Sequence, residues 1–208
     1  MLIFQSDKFF NPKINSMTDN LRFFLSRFEK LTDQEMDAFI AIFKPLTIKK
    51  LDHLFLEGEM VSSIYYINDG VMRGYYNKEN EEITTNFYFG PTMVTDLIAV
   101  RGEIPTKMNV QALKNCNCMV ASFSDLDVLV DDYPIFESVF FKFLEHLYLF
   151  GVARQHSFIF DTPQERYIKL FGERPKVIAE IPQRYIASYL GIKPETLSRI
   201  KARIFKEL

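Results

Sequence analysis

With 208 residues, 48% of them hydrophobic, and a formal net charge of −2, the chain can bury a body of about 150 residues and a small second domain. No run approaches the roughly 20 uninterrupted apolar residues that cross a bilayer. The opening residues, Met1 to Lys8, lack the basic lead and apolar segment of an export leader, so a cytoplasmic protein with no membrane partner is expected. Only two cysteines are present, which excludes a disulfide scaffold and an iron–sulfur cluster held within the chain, since the latter needs about four thiolates.

From residue 19 to 29, Leu21, Phe24, Leu25 and Phe28 recur at helical spacing. Thr32-Asp33-Gln34-Glu35 has the form of a capping box, opening a second helix that runs toward Phe43 and is expected to stop at Pro45. From Leu46 to Phe123 the texture changes to short β-rich segments between turn signals: Leu54 to Leu56, Ile64 to Ile67, Val71 to Tyr76, Ile83 to Tyr88, and Met108 to Phe123. Regular spacing of this kind predicts an antiparallel sandwich or small barrel. Cys116 and Cys118 alternate along such a run and so share one face, too close for an ordinary disulfide or a metal framework. They read as reduced thiols packed on a strand.

After Pro134 the period is helical again, with Phe136, Phe140, Phe143, Leu147 and Phe150 in one stripe that Val139, Leu144 and Tyr148 broaden. The stripe is wide for a helix covering one side of a barrel. It fits a dimer seam, and the alternative is a core helix packed within its own chain. Phe160-Asp161-Thr162-Pro163 breaks the run as a hinge, and Thr162-Pro163-Gln164-Glu165 restarts a helix with cap, first-turn proline and acid.

From Ile181 to Ile200 the residues have the pattern of a helix-turn-helix. Ala187 is small where two helices approach, and Gly191 four residues later accepts a positive φ at the turn. Pro182 and Pro194 each suit a helix's first turn. Ile186, Leu190, Ile192, Leu197 and Ile200 form the shared core, while Arg184, Lys193, Glu195, Ser198, Arg199 and Lys201 face outward. Between Pro163 and Leu208 ten Lys and Arg stand against five Glu, a net +5 that leaves −7 on the remainder of the chain. A basic module on an acidic body is the asymmetry expected when one end meets phosphate, so the partner implied is double-stranded DNA.

This order of elements resembles the cyclic-AMP receptor/fumarate-nitrate regulator (Crp/Fnr) family of bacterial transcription factors over nearly the whole chain. Glu57-Gly58-Glu59 with Ile64 to Arg73 is similar to the family's β-roll signature, Glu165-Arg166-Tyr167 to its post-hinge motif, and Gly191 to Ile200 to its recognition helix. The resemblance implies an α+β chain with a cyclic-nucleotide-binding-like β-roll, a double-stranded β-helix with flanking helices, over 1–133. A dimerisation helix over 134–160 and a DNA-binding helix-turn-helix domain over 161–208 would follow. It further implies a homodimer with a small-molecule effector, and RNA polymerase as a partner if the protein activates transcription. Glu195 and Arg199, one turn apart, are the implied base readers. The third reader of the family is replaced by Pro194. Lys193, Thr196, Ser198, Lys201 and Arg203 are candidate DNA-backbone anchors, with solvated surface as the alternative for each.

Two departures qualify the resemblance. Nucleotide-binding members use a glutamate for the ribose hydroxyl and an arginine for the cyclic phosphate. Here Asp96 replaces the glutamate, Thr106 takes the arginine position, and only Lys107 offers nearby charge, as a point rather than a planar fork. The effector pocket is therefore assigned to Asp96, Thr106 and Lys107 with cyclic AMP not expected as its ligand; the effector is unidentified or absent. The sequence also ends at Leu208, so the β-wing that often follows the recognition helix is expected to be absent or reduced.

Two other classes compete. Cupin-type catalysis on a β-roll needs several converging His and carboxylate ligands, but only His53 of three histidines falls in the β-rich region; His146 and His156 lie on the long helix. No Gly-rich phosphate loop or nucleophile elbow occurs, so no enzyme, metal or cofactor is expected. The second alternative is a ligand- or protein-binding sensor that has lost DNA binding.

Overall fold

The computed structural model describes residues 16 to 207. Met1 to Lys8, from which no export leader is expected, and Leu208, on which the expectation of a reduced wing rests, lie outside the described residues. Two short helices lead, α1 (Met17–Leu25) and α2 (Asp33–Ala41). Thr32 and Glu35 form the anticipated reciprocal capping box. Helix α2 ends at Ala41 without help from Pro45, which belongs to strand β1 (Lys44–Ile48) opposite Met119. That strand lies at a sheet edge, where a proline's missing N–H leaves no ladder bond unmade.

The strands β2 (His53–Phe55), β3 (Ser63–Asp69), β4 (Val71–Lys78), β5 (Glu81–Phe89) and β6 (Thr92–Val94) follow. A short helix α3 (Leu97–Gly102) precedes β7 (Met108–Ala112) and β8 (Cys116–Ser122). The run from Met108 to Phe123, expected as one segment, is thus two strands, divided by a loop at 113–115 where Lys114 and Asn115 turn outward. All pairings are antiparallel, in two four-stranded sheets ordered β1-β8-β3-β6 and β2-β7-β4-β5. Each strand passes to the facing sheet except at the β4–β5 hairpin, whose two strands pair side by side, an arrangement of the jelly-roll kind.

Between those sheets lies an apolar filling that includes Phe55, Ile67, Met72, Val110, Cys116 and Cys118. Both cysteines are free and fully buried, and burial pushes the Cys118 thiol up to about 12. They are packing atoms, not nucleophiles. A second core joins α1, α2 and the other side of the roll to α4 (Phe123–Asp132) and to the start of α5 (Ile135–Phe160). Helices α6 (Pro163–Glu173), α7 (Pro175–Glu180), α8 (Gln183–Tyr189) and α9 (Pro194–Glu207) come after it. No helix among the described residues is long and apolar enough to cross a membrane.

Helix α5 divides the aromatic stripe that its sequence predicts. Phe136 and Val139 are buried and Phe140 and Phe143 half-buried against the helix's own domain. Phe141, Leu144, Leu147 and Tyr148 remain 44–69% exposed, Leu144 and Leu147 at the edge of a cavity that Phe140 and Phe143 also line. The upstream part of the stripe is core, while its downstream members Leu144, Leu147 and Tyr148, joined by Phe141, stay open.

Candidate nucleic-acid interface

At the hinge, Thr162 and Glu165 form the second capping box. Asp161 sits at the end of α5, where the Lys169 ammonium and the Ser157 hydroxyl hold its carboxyl below the usual range. The geometry then explains Glu165-Arg166-Tyr167. Arg166 donates from Nη1 to the Asp161 carbonyl (2.7 Å) and from Nε to the Leu190 carbonyl (3.1 Å), tying the hinge to the end of α8. Arg154 on α5 donates to the neighbouring Tyr189 carbonyl (2.8 Å). These bonds satisfy carbonyls that the end of a helix leaves orphaned. Tyr167 is buried in the core beneath.

Gly191 has φ 68°, and a Cβ on it would stand 2.8 Å from Cε1 of Phe158 on α5. A glycine is therefore required twice, by the turn and by the aromatic ring on which the turn is seated. Ala187 is fully buried, and its carbonyl accepts from the Ile192 N–H (3.0 Å) to close the turn. Ile186, Leu190, Leu197 and Ile200 are buried as expected.

Helix α9 turns Glu195, Ser198, Arg199 and Arg203 outward as exposed residues, with Thr196 and Lys201 half-buried and Lys193 exposed just before its first turn. Arg199 lies back over its own helix, its Nε 3.4 Å from the Glu195 carbonyl and its Nη2 3.4 Å from the Thr196 hydroxyl. Arg203 donates to Gln164 on α6 (3.2 Å), a tie from the anchor face to the rest of the domain. Glu195 and Arg199 stand on one open face with Ser198 beside them.

What sequence reasoning missed is how this domain is held. Strand β5 is an edge, and Ser188 of α8 covers it: its Oγ accepts from the Thr84 N–H (2.9 Å) and donates to the Glu82 carbonyl (2.9 Å). Arg174 donates to the Phe87 carbonyl (2.5 Å) and to Asn86 (3.3 Å). The guanidinium of buried Arg73, paired with Glu82, is sandwiched between Tyr75 (4.0 Å) and Tyr185 of α8 (3.9 Å). Arg73 ends the β-roll signature and Tyr185 opens the helix-turn-helix; nothing in either segment alone announces that they meet.

The cassette residues part company. Asp96 caps α3, accepting from the Ile98 (3.1 Å) and Ala99 (3.3 Å) N–H groups, and its other oxygen accepts from the Thr106 hydroxyl (2.5 Å). Both are buried and satisfy each other, whereas Lys107 is exposed. None of the three lines the cavity of about 610 Å³ between the roll, α3, α4 and α5, whose walls include Met93, Leu97, Leu126, Phe140 and Leu147 with Arg101. Thr106→Val removes the hydroxyl that faces one oxygen of a buried carboxylate, and should cost about 1–3 kcal/mol. Thermal unfolding of the variant, lowered relative to the parent, checks this; an unchanged midpoint would show that the bond contributes nothing.

His53 in β2 has its Nε2 3.1 Å from the Tyr75 hydroxyl. Among the described residues no three His, Cys, Asp or Glu side chains converge to hold a metal.

No protein-family model matches the chain, and no curated protein matches it in sequence. Solved structures do. FixK2 from Bradyrhizobium japonicum is 15% identical, with 80% of this chain and 86% of that one covered at a TM-score of 0.67. The c-di-GMP-responsive global regulator CLP of Xanthomonas campestris is 12% identical, with 85% and 93% covered at 0.66. A mutant of CooA from Carboxydothermus hydrogenoformans is 15% identical, with 86% and 81% covered at 0.65. At such identities the likeness is one of fold. The chain thus shares the α+β fold of these structures, a β-roll followed by a long helix and a helix-turn-helix domain, in agreement with its own residues.

Proposed function

We propose that this protein is a homodimeric, sequence-specific DNA-binding transcription regulator that works in the cytoplasm, is not an enzyme, and does not take cyclic AMP as its signal. The observation that carries the reading is the open face at the start of α9: Lys193, Glu195, Ser198 and Arg199 are all exposed, with the helix-turn-helix already docked and its turn closed. The +5 charge of the terminal module supports the same partner. Glu195 and Arg199 read base edges; Lys193, Thr196, Ser198, Lys201 and Arg203 meet the backbone.

Pairing of two chains along the open line of α5 places two reading helices on one duplex, related by a twofold axis. Against cyclic AMP stands the Asp96–Thr106 bond, which occupies the groups a cyclic phosphate and ribose would need. The apolar cavity beside α5 is the better effector position, since a ligand there touches the roll and the pairing helix together. RNA polymerase is the further partner of an activator.

The test is selection of a binding site from random duplexes, followed by anisotropy titration of variants. Glu195→Ala should lose about 1–3 kcal/mol on the selected site and little on random DNA. Lys201→Ala should weaken both and flatten the salt dependence by roughly one counterion. Equal losses on both duplexes for Glu195→Ala would remove it as a base reader, and failure of any duplex to bind in dilute buffer would remove the function.

A further inference from the structure

The β1–β2 turn and the β7–β8 loop face the start of α8 across a cleft of about 570 Å³. Its floor is apolar, built on Val71, Leu113 and Ile181, and Leu51 at its rim is 60% exposed. Its walls carry Lys50, Lys114 and Arg184, against one acid, Glu180. Glu180 is already spoken for, bonded to Lys114 at 2.7 Å. Lys50 and Arg184 are exposed and leave the cleft two positive charges in excess. Behind the wall, the Tyr185 ring carries the Arg184 guanidinium at 4.6 Å, with Arg73 on it at 3.9 Å already neutralised by Glu82, so the excess charge rests with Lys50 and Arg184.

From this combination we infer that the cleft between the β-roll and the helix-turn-helix domain binds an amphipathic anion, a small molecule with an aromatic or aliphatic body and one carboxylate, sulfonate or phosphate head. Volume and location both fit a ligand site, since such sites measure about 300–1,000 Å³ and favour joints between domains. The apolar floor takes the body, and Lys50 and Arg184 take the head from opposite sides of the joint. A molecule bound there holds the two domains together, so it favours whichever arrangement of the helix-turn-helix closes the cleft. Site and ligand class stand without reference to DNA.

The probe is 8-anilinonaphthalene-1-sulfonate with the full chain, followed by fluorescence and by backbone amide shifts in nuclear magnetic resonance spectra; N-phenyl-1-naphthylamine, which lacks the sulfonate, is the uncharged control. The amides of Asn115 and Tyr185 should shift with the sulfonate. Lys50→Glu and Arg184→Glu should each weaken it roughly tenfold or more, because reversal replaces attraction by repulsion at close range. Lys50→Arg should bind as the parent does, and the uncharged control should respond to none of these changes. Both reversed side chains are exposed, so the fold tolerates them, and unchanged melting curves would verify it. The inference is overturned if neither amide moves, or if the reversals change affinity by less than about twofold. It is equally overturned if they leave the sulfonate alone and weaken only duplex DNA, for then the cations serve the nucleic-acid backbone.

Discussion

If two chains pair along α5 as proposed, Leu144→Glu combined with Tyr148→Glu should convert the dimer to a monomer and abolish tight binding to a two-half-site operator. In the single chain Leu144 is 44% exposed and Tyr148 69%, one turn apart along α5. Burial of a large apolar side chain contributes about 1.5–3 kcal/mol, and a twofold seam counts each residue twice. Carboxylates there face their own copies across the axis, unpaired and stripped of water, so repulsion adds to the lost burial. The combined penalty raises the dimer dissociation constant by about a thousandfold or more. On DNA the loss is multiplied, because a second half-site held by the same dimer contributes an effective-concentration gain of roughly 10²–10⁴. Sedimentation at micromolar concentration measures the seam directly. A double variant that still sediments as a dimer would take α5 out of the interface.

The second large effect is expected from Leu197→Ala. Leu197 is fully buried where α8, α9 and α6 meet, and truncation of such a leucine costs about 2–5 kcal/mol. Its core does not stop at the domain boundary: Val71, Phe87 and Phe89 of the roll belong to the same apolar cluster as Tyr167, Ile186, Tyr189 and Leu197. Ser188 and Arg174 add polar ties to β5 across that junction. The helix-turn-helix should therefore melt with the roll in one transition, and Leu197→Ala should lower its midpoint by roughly 5–15 °C. Calorimetry showing two separate transitions, with the variant moving only the smaller, would refute the continuity of that core. Affinity for DNA should fall as well, since Leu197 seats the helix that carries Glu195 and Arg199.

Much of this is legible in the residues because it depends on neighbours in sequence. Capping boxes close over three residues, and both Thr32 with Glu35 and Thr162 with Glu165 form as their spacing predicts. The apolar spacing of Ile186, Leu190, Leu197 and Ile200 and the special place of Gly191 likewise follow from local geometry. Pro45 misleads for a tertiary reason: a proline signals a helix stop, yet a sheet edge accepts it equally well, and only strand order shows that β1 is an edge. The cassette shows the same limit. Asp96 and Thr106 stand ten positions apart in sequence, and only the fold shows hydroxyl and carboxylate in contact, each serving as the other's partner.

By itself, then, the sequence determined the two helical modules, the strand-rich body between them, the break at Asp161 and the basic final helix, since each is set by periodicity, capping and turn residues a few positions apart. Only the tertiary structure decided which residues of α5 stay open, how Arg73 and Tyr185 lock α8 onto the edge of β5, and where the cavities lie. Those features join residues that are distant in the chain, and burial and charge pairing at such distances are fixed by the packing of whole elements, which no local pattern encodes.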